Sequence, residues 1–263
     1  LSSNDLSGQI PESIGSLINL VVLILSGNNL IGEIPDAIGK LINLTVLDLR
    51  SNDLSGPIPE SIGDLTSLNT LYLRETNLSG EIPESIGDLI NLEVLNLREN
   101  NLSGEIPESI GSLINLTELH LSHNFIGCYE YEEGVCITHC DDTDLCTGNI
   151  PDVFGNLTSL NILYSYNNYL SGSIPISIGN LISLTTLHLN NNELIQIKNR
   201  VNRIKCYNDF NKMINTCQLD GVIIVSSSDQ HCKHSMIALK KGLHVFCEKP
   251  LGTNLNECLK IKK

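Results

Sequence analysis

One interval governs the first three quarters of this chain. An Asn closes each short apolar run at Asn4, Asn28, Asn52, Asn100 and Asn124, in steps of 24 residues, with Thr76 holding the one missing place. After a break, Asn168 and Asn192 resume the same step. The interval between Asn124 and Asn168 is 44, so about 20 extra residues interrupt the array at 128–147. A fixed period of this size marks a stacked repeat in which each unit contacts its neighbours and none can bury its own apolar face alone.

Each unit reads Leu-x-x-Leu-x-Leu-x-x-Asn-x-Leu, as in Leu44, Leu47, Leu49, Asn52 and Leu54. The Leu-x-Leu alternation predicts a short strand with one face buried. The Asn is expected inside, bonding turn backbone that stacking would otherwise leave unsatisfied at about 1–3 kcal/mol per group. Ser-Gly-x-Ile-Pro then bends the chain, and Ile-Gly-x-Leu returns to the core. With the 24-residue period and Gly-x-Ile-Pro recurring together, residues 1–197 resemble the plant-type leucine-rich repeat. That resemblance implies an α/β fold: a curved solenoid of eight units with a parallel sheet on its concave side, a surface generally used to bind proteins or peptides. Thr76 is expected to weaken one rung, and Ser165, standing in a Leu column, to leave a gap in the core. No capping unit is legible at either end, and Leu1 falls inside a repeat with no leader before it, so the true N-terminus is expected to lie upstream.

Between the strand leucines, side chains are expected to face solvent in two columns. One runs Ile24, Asp48, Tyr72, Asn96, His120, Tyr164, His188, and the other Ser26, Arg50, Arg74, Arg98, Ser122, Tyr166, Asn190. At about 4.8 Å between strands, Arg50, Arg74 and Arg98 would form a basic ladder. They are three of four basic residues in the array, and Glu75 and Glu99 stand beside two of them. Two readings stay open: ion pairs that neutralise each other on a wet surface at about 0–1 kcal/mol each, or a recognition strip for a protein or peptide with an acidic patch, with Tyr72, His120, Tyr164 and Tyr166 as partners to the arginines. The column Glu12, Asp36, Glu60, Glu84, Glu108, Asp152 reads as a solubility face.

The interruption carries Cys128, Cys136, Cys140 and Cys146 with His139. It lacks the paired Cys-x-x-Cys of ordinary zinc modules, so no metal site is assigned. Two disulfides, a metal, or free thiols in an acidic loop remain open. Asn43, Asn77, Asn101, Asn115 and Asn156 each begin an Asn-x-Ser/Thr triplet, an acceptor pattern that matters only in a secreted chain.

Charge divides the chain where the repeat stops. Residues 1–194 hold 4 Lys/Arg against 25 Asp/Glu, net −21; residues 195–263 hold 12 against 5, net +7. An acidic array repels phosphate, which excludes nucleic acid as its partner. The longest apolar run, near Leu20–Leu25, is far short of the roughly 20 residues a bilayer needs. The reversal suggests two units of different origin, 1–197 and 198–263.

In the tail, "CYNDFNKMINTC" predicts a short helix and "LDGVIIVSSS" a buried strand. Residues 230–241 predict an amphipathic helix with Met236, Ile237 and Leu239 near one face, stopped by Gly242. "LHVFCEKP" predicts a second buried strand, and "NLNECLKIKK" a further helix. Strand, helix, strand is a parallel βαβ unit. "YNDFNKMI", "LDGVIIVSSSDQH" and "GLHVFCEKPLG" resemble the nucleotide-binding domain of the glucose-fructose oxidoreductase/inositol dehydrogenase family, a partial Rossmann-type unit here. The resemblance implies that Ser226, Ser227, Ser228 and His231 lie against a dinucleotide. It also implies that Glu248, Lys249 and Pro250 lie beside the nicotinamide, with Lys249 the catalytic residue that bonds cofactor ribose and substrate hydroxyl. Yet no Gly-x-Gly occurs anywhere in the chain, and that motif holds the pyrophosphate. The expectation is therefore a binding scaffold carrying an inactive dehydrogenase fragment, with no cofactor unless NAD(P) binds once missing parts are supplied. The alternative is an incomplete piece of an NAD(P)-dependent sugar or inositol oxidoreductase. The compartment is open, tilted toward the cytoplasm by the lack of a leader.

Overall fold

A computed structural model describes residues 2–132, 134–143, 145–194, 221–224, 228–242 and 244–247. The chain divides into two compact units, Leu1–Gln196 and Ile197–Lys263.

In the first unit, every Leu-x-Leu run becomes a three-residue strand: Val22–Ile24, Val46–Asp48, Thr70–Tyr72, Val94–Asn96, Glu118–His120, Ile162–Tyr164 and Thr186–His188. These form one seven-stranded parallel sheet in chain order. Pairing is like for like. Leu23 lies opposite Leu47, Leu47 opposite Leu71, and Leu71 opposite Leu95. The register survives the interruption, since Leu119 pairs with Leu163 across 44 residues as cleanly as with Leu95. The extra residues are looped out, and no rung is displaced.

A second parallel sheet of five strands follows the Asn turns: Ser7–Gly8, Asn29–Gly32, Asp53–Gly56, Asn77–Glu81 and Asn101–Ser103. Each unit then crosses back through a five-residue 3-10 helix, such as Glu60–Asp64, entered from a Pro in extended conformation. Pro suits this place because its fixed φ starts the turn and its missing N–H is not needed there. The glycine inside each such helix sets the stacking distance. A Cβ at Gly63 would lie 2.6 Å from the Ser85 carbonyl oxygen of the next unit.

The leucines and isoleucines of both sheets and of the 3-10 helices form one continuous core, with Leu47, Leu71, Leu95, Leu119 and Leu163 all at 0% exposure. The Asn ladder is built as the repeat predicts. Asn52 accepts the Leu30 N–H and donates to the Leu25 and Leu49 carbonyls. Asn124 does the same for Leu102, Leu97 and Leu121. Each Asn thus bonds its own unit and the one before. Ser165 is 1% exposed, and its hydroxyl has no partner.

The second unit shows Gly221–Ile224 and His244–Cys247 paired in parallel, joined through the helix Ser228–Lys240. This is the βαβ unit that the sequence predicts. The helix begins two residues earlier than expected and ends at Lys240, two residues before Gly242, whose φ of +74° favours glycine. Its buried face differs from the expected one. Ser235 and Ala238 are buried, and Leu239 is 43% exposed. Those two positions are about one helical turn apart and share a face, with Leu239, four residues after Ser235, at its exposed edge. The helices expected from "CYNDFNKMINTC" and "NLNECLKIKK" lie outside the described residues, as do Cys206, Cys217 and Cys258.

Candidate binding face and its disulfide-tied hairpin

The seven strands set the candidate residues at matching positions on neighbouring rungs. Arg50, Arg74 and Arg98 are each bound to an acid close by in the chain. Arg50 Nε lies 3.3 Å from Asp48 Oδ2, and its guanidinium sits 4.9 Å from the Tyr72 ring centre. Arg74 Nη1 pairs with Glu75 Oε1 at 2.7 Å, and Arg98 pairs with Glu99. The strip is therefore a row of ion pairs, three cations against three carboxylates. All three arginine side chains are about one-third exposed, so solvent screening keeps each pair weak. Glu75 and Glu99 reach their partners from a left-handed backbone, φ +55° and +57°, at the turn position where Gly27 stands in an earlier unit.

The two columns are not uniformly open to solvent. Asp48 is 4% exposed, and Ser122 is fully buried. Asp48 is held between the Arg50 guanidinium and its own turn, where Oδ1 also accepts the Arg50 N–H. Ser122 is shorter than the Arg98 and Tyr166 that neighbour it in its column.

The other end of the sheet is aromatic. His120 and Tyr164 meet edge to face at 5.0 Å between ring centres. Tyr164 also meets His188 at 4.8 Å and Tyr166 at 6.1 Å. Tyr166 in turn lies 6.0 Å from His188 and 5.1 Å from His123. Three consecutive rungs thus present a contiguous patch of two phenols and three imidazoles. His120 Nε2 is 3.2 Å from Glu118 Oε2, which ties the patch to an acid on its own strand. His123 and His188 were not among the predicted binding residues. His123 follows the strand at the turn position, so a strand-alternation rule does not reach it.

The interruption is a β-hairpin, Cys128–Glu132 against Val135–His139. Disulfides Cys128–Cys136 and Cys140–Cys146 resolve the alternatives left open by the sequence. Among the described residues no group of His, Cys, Asp and Glu could hold a metal. The hairpin docks on the turn edge of the array. Tyr131 stacks on Phe125 at 4.4 Å and donates its hydroxyl to the Asn101 carbonyl at 3.0 Å. His139 meets Tyr169 at 5.6 Å and Glu193 Oε2 at 3.5 Å. Thr147 donates its N–H to Glu105 Oε2 at 2.9 Å. Gly127, φ +93°, opens the insertion against Tyr169, where a Cβ would meet the carbonyl oxygen at 2.3 Å.

Of the residues that the oxidoreductase resemblance singles out, Ser226, Ser227, Glu248, Lys249 and Pro250 lie outside the described residues. Ser228 and His231 fall in the first turn of the Ser228–Lys240 helix, which follows the Gly221–Ile224 strand in the chain. No helix among the described residues is long and apolar enough to cross a membrane.

Comparison with known proteins agrees with both halves. Leucine-rich-repeat models match residues 18–78, 66–126 and 156–181. The model for the oxidoreductase family, NAD-binding Rossmann fold, matches residues 175–263. The first unit is a leucine-rich-repeat solenoid, and the chain ends in a segment similar to the nucleotide-binding domain of that oxidoreductase family. The second match begins inside the last repeat, for Ile176–Asn180 and Thr186–His188 are built as that repeat's 3-10 helix and strand.

Among solved structures, the first unit is similar to the Arabidopsis receptor kinase HAESA, crystallised in complex with the peptide hormone IDA and the co-receptor SERK1. That likeness has 38% identity and a TM-score of 0.64, over 74% of this chain and 29% of that one. It is also similar to a TDR receptor, with 36% identity and a TM-score of 0.63, over 73% of this chain and 30% of that one. The tail is 37% identical over 57 residues to the inositol 2-dehydrogenase of Salmonella typhimurium, covering 22% of this chain and 17% of that enzyme. It is 36% identical over 62 residues to the myo-inositol 2-dehydrogenase of Thermotoga maritima, covering 24% and 19%. The chain therefore spans less than a third of each receptor and less than a fifth of each dehydrogenase.

Proposed function

We propose that this chain binds a peptide or protein segment across its seven-stranded sheet, anchored on the patch of His120, Tyr164, Tyr166 and His188. The observation that carries this reading is the contiguity of those four rings over three adjacent rungs. Half-buried aromatics lose little rotamer freedom on contact and bury large areas, which is why such groups dominate binding energy. Arg50, Arg74 and Arg98 extend the same face. Because each already has an intramolecular acid, we assign them a role in orienting an acidic segment rather than in holding it. The likeness to receptors crystallised with peptide hormones supports the class of ligand. The two disulfides of the insertion support an oxidising compartment, against the cytoplasmic tilt of the sequence reading.

Selection of random peptides displayed on phage against the immobilised chain tests this. Selected peptides should lose at least about tenfold in affinity, roughly 1.4 kcal/mol, on Tyr164→Ala/Tyr166→Ala. They should lose less on the joint Arg50→Ala/Arg74→Ala/Arg98→Ala change. Binding indifferent to the tyrosine pair would reject the reading.

A second reading rests on the NAD-binding family match. We infer that the tail derives from an NAD(P)-dependent enzyme and does not hold the dinucleotide alone, because the chain has no Gly-x-Gly to seat the pyrophosphate. Calorimetric titration with NAD(H) checks it. Saturable heat with a dissociation constant below about 1 mM would overturn the inference.

A further inference from the structure

Asn77 and Asn101 occupy the same position in consecutive units, each opening the tetrapeptide Asn-Leu-Ser-Gly. The second sheet sets them on neighbouring strands, with Ser79 opposite Asn101. Local sequence and backbone setting are therefore matched, but the surroundings are not. Asn77 is exposed, and its Ser79 is half-buried. Asn101 is half-buried, and its Ser103 is 8% exposed.

The hairpin causes the difference. Tyr131 donates to the Asn101 carbonyl, the Gly104 N–H donates to the Cys128 carbonyl at 2.7 Å, and the Gly127 N–H donates to the Gly104 carbonyl at 2.7 Å. The segment 101–104 is thus pinned beneath an element that the Cys128–Cys136 disulfide closes. Among the described residues no such element covers 77–80.

We propose that Asn77 is an N-glycosylation site, and that the disulfide-tied hairpin shields the otherwise equivalent Asn101. The reaction joins Asn77 Nδ2 to the anomeric carbon of a lipid-diphosphate-linked oligosaccharide. The bond from that carbon to the diphosphate breaks, the lipid diphosphate leaves with the electron pair, and Nδ2 gives up one proton. Transfer needs both the Asn amide and the hydroxyl two residues on to be within reach of the transferase. At 101–103 that reach requires the hairpin to open first, and local opening of this kind suppresses modification by the fraction of time spent closed. The compartment that supplies the activated sugar is also the one in which the two disulfides form. None of the five Asn-x-Ser/Thr triplets falls on the columns of the seven-stranded sheet, so a glycan at Asn77 leaves that face clear. The inference stands independently of what the face binds.

Translation of the full chain behind a cleavable leader, in endoplasmic-reticulum microsomes under oxidising conditions, tests this. Glycans are counted by gel shift and removed by endoglycosidase. Asn43, Asn115 and Asn156 form a constant background in every variant. Asn77→Gln should lose one glycan, and Asn101→Gln none. In the Cys128→Ser/Cys136→Ser background, Asn101→Gln should lose one as well. Site occupancy on the unmutated chain, read by deglycosylation in heavy-oxygen water and peptide mass spectrometry, should be at least about tenfold higher at Asn77 than at Asn101. An empty Asn77, equal occupancy at the two sites, or an Asn101 that stays unmodified without the Cys128–Cys136 bond would each overturn the proposal.

Discussion

Thr76 Oγ1 lies 2.5 Å from Asn100 Oδ1, at the one rung where the Asn ladder is broken. Thr76 also lies 3.1 Å from its own unit's Leu73 carbonyl. Its side chain is one atom shorter than Asn and carries a single hydrogen, so it does not reproduce the links that Asn52 makes to Leu30 and Leu25. Thr76→Asn should supply the equivalent bonds to the Leu54 N–H and the Leu49 carbonyl. The expected gain is about 1 kcal/mol, seen as a rise of about 2–4 °C in the thermal midpoint by calorimetry.

Ser165 stands in the column of Leu121 and Leu189, with its hydroxyl buried and unpartnered. Ser165→Leu removes that polar cost and adds apolar burial. Chemical denaturation should show a stabilisation of about 2 kcal/mol, with the denaturant slope unchanged.

Loss of the Cys128–Cys136 bond should act locally. Closing a loop of that size stabilises the closed form by about 2–3 kcal/mol in the chain-entropy description. The rungs on either side, however, pair directly through Leu119 and Leu163. In Cys128→Ser/Cys136→Ser, hydrogen exchange should quicken across residues 128–139 and stay unchanged at Val46–Asp48 and Thr70–Tyr72.

The repeat was legible because one buried face recurs every 24 residues, and a parallel stack admits a single register for it. Leu47, Leu71 and Leu95 pair where the period alone puts them. The Arg columns were equally legible, together with the Glu75 and Glu99 that neutralise two of them. What the period does not encode is side-chain reach. Asp48 lies in a column read as solvent-facing, yet Arg50 folds back over it. His123 joins the aromatic patch from a left-handed turn residue, φ +59°, outside any strand alternation. The hairpin contacts follow no period at all. Tyr131 on Phe125 and His139 on Tyr169 are meetings between an insertion and a scaffold, set by shape. In the tail, the strand–helix–strand order was readable from continuous apolar runs, whereas the side chains found buried among those described on the helix are Ser235 and Ala238.

On the proposed function, ligand lies across the seven-stranded sheet at its aromatic end. Hydrogen-exchange mass spectrometry of the chain with and without a selected peptide tests it most directly. Exchange should slow in the segments carrying Glu118–His120, Ile162–Tyr164 and Thr186–His188, and stay unchanged in the 3-10 helices Asp36–Lys40, Glu60–Asp64 and Glu84–Asp88. Protection confined to those helices or to the tail, with the three strands unchanged, would contradict it.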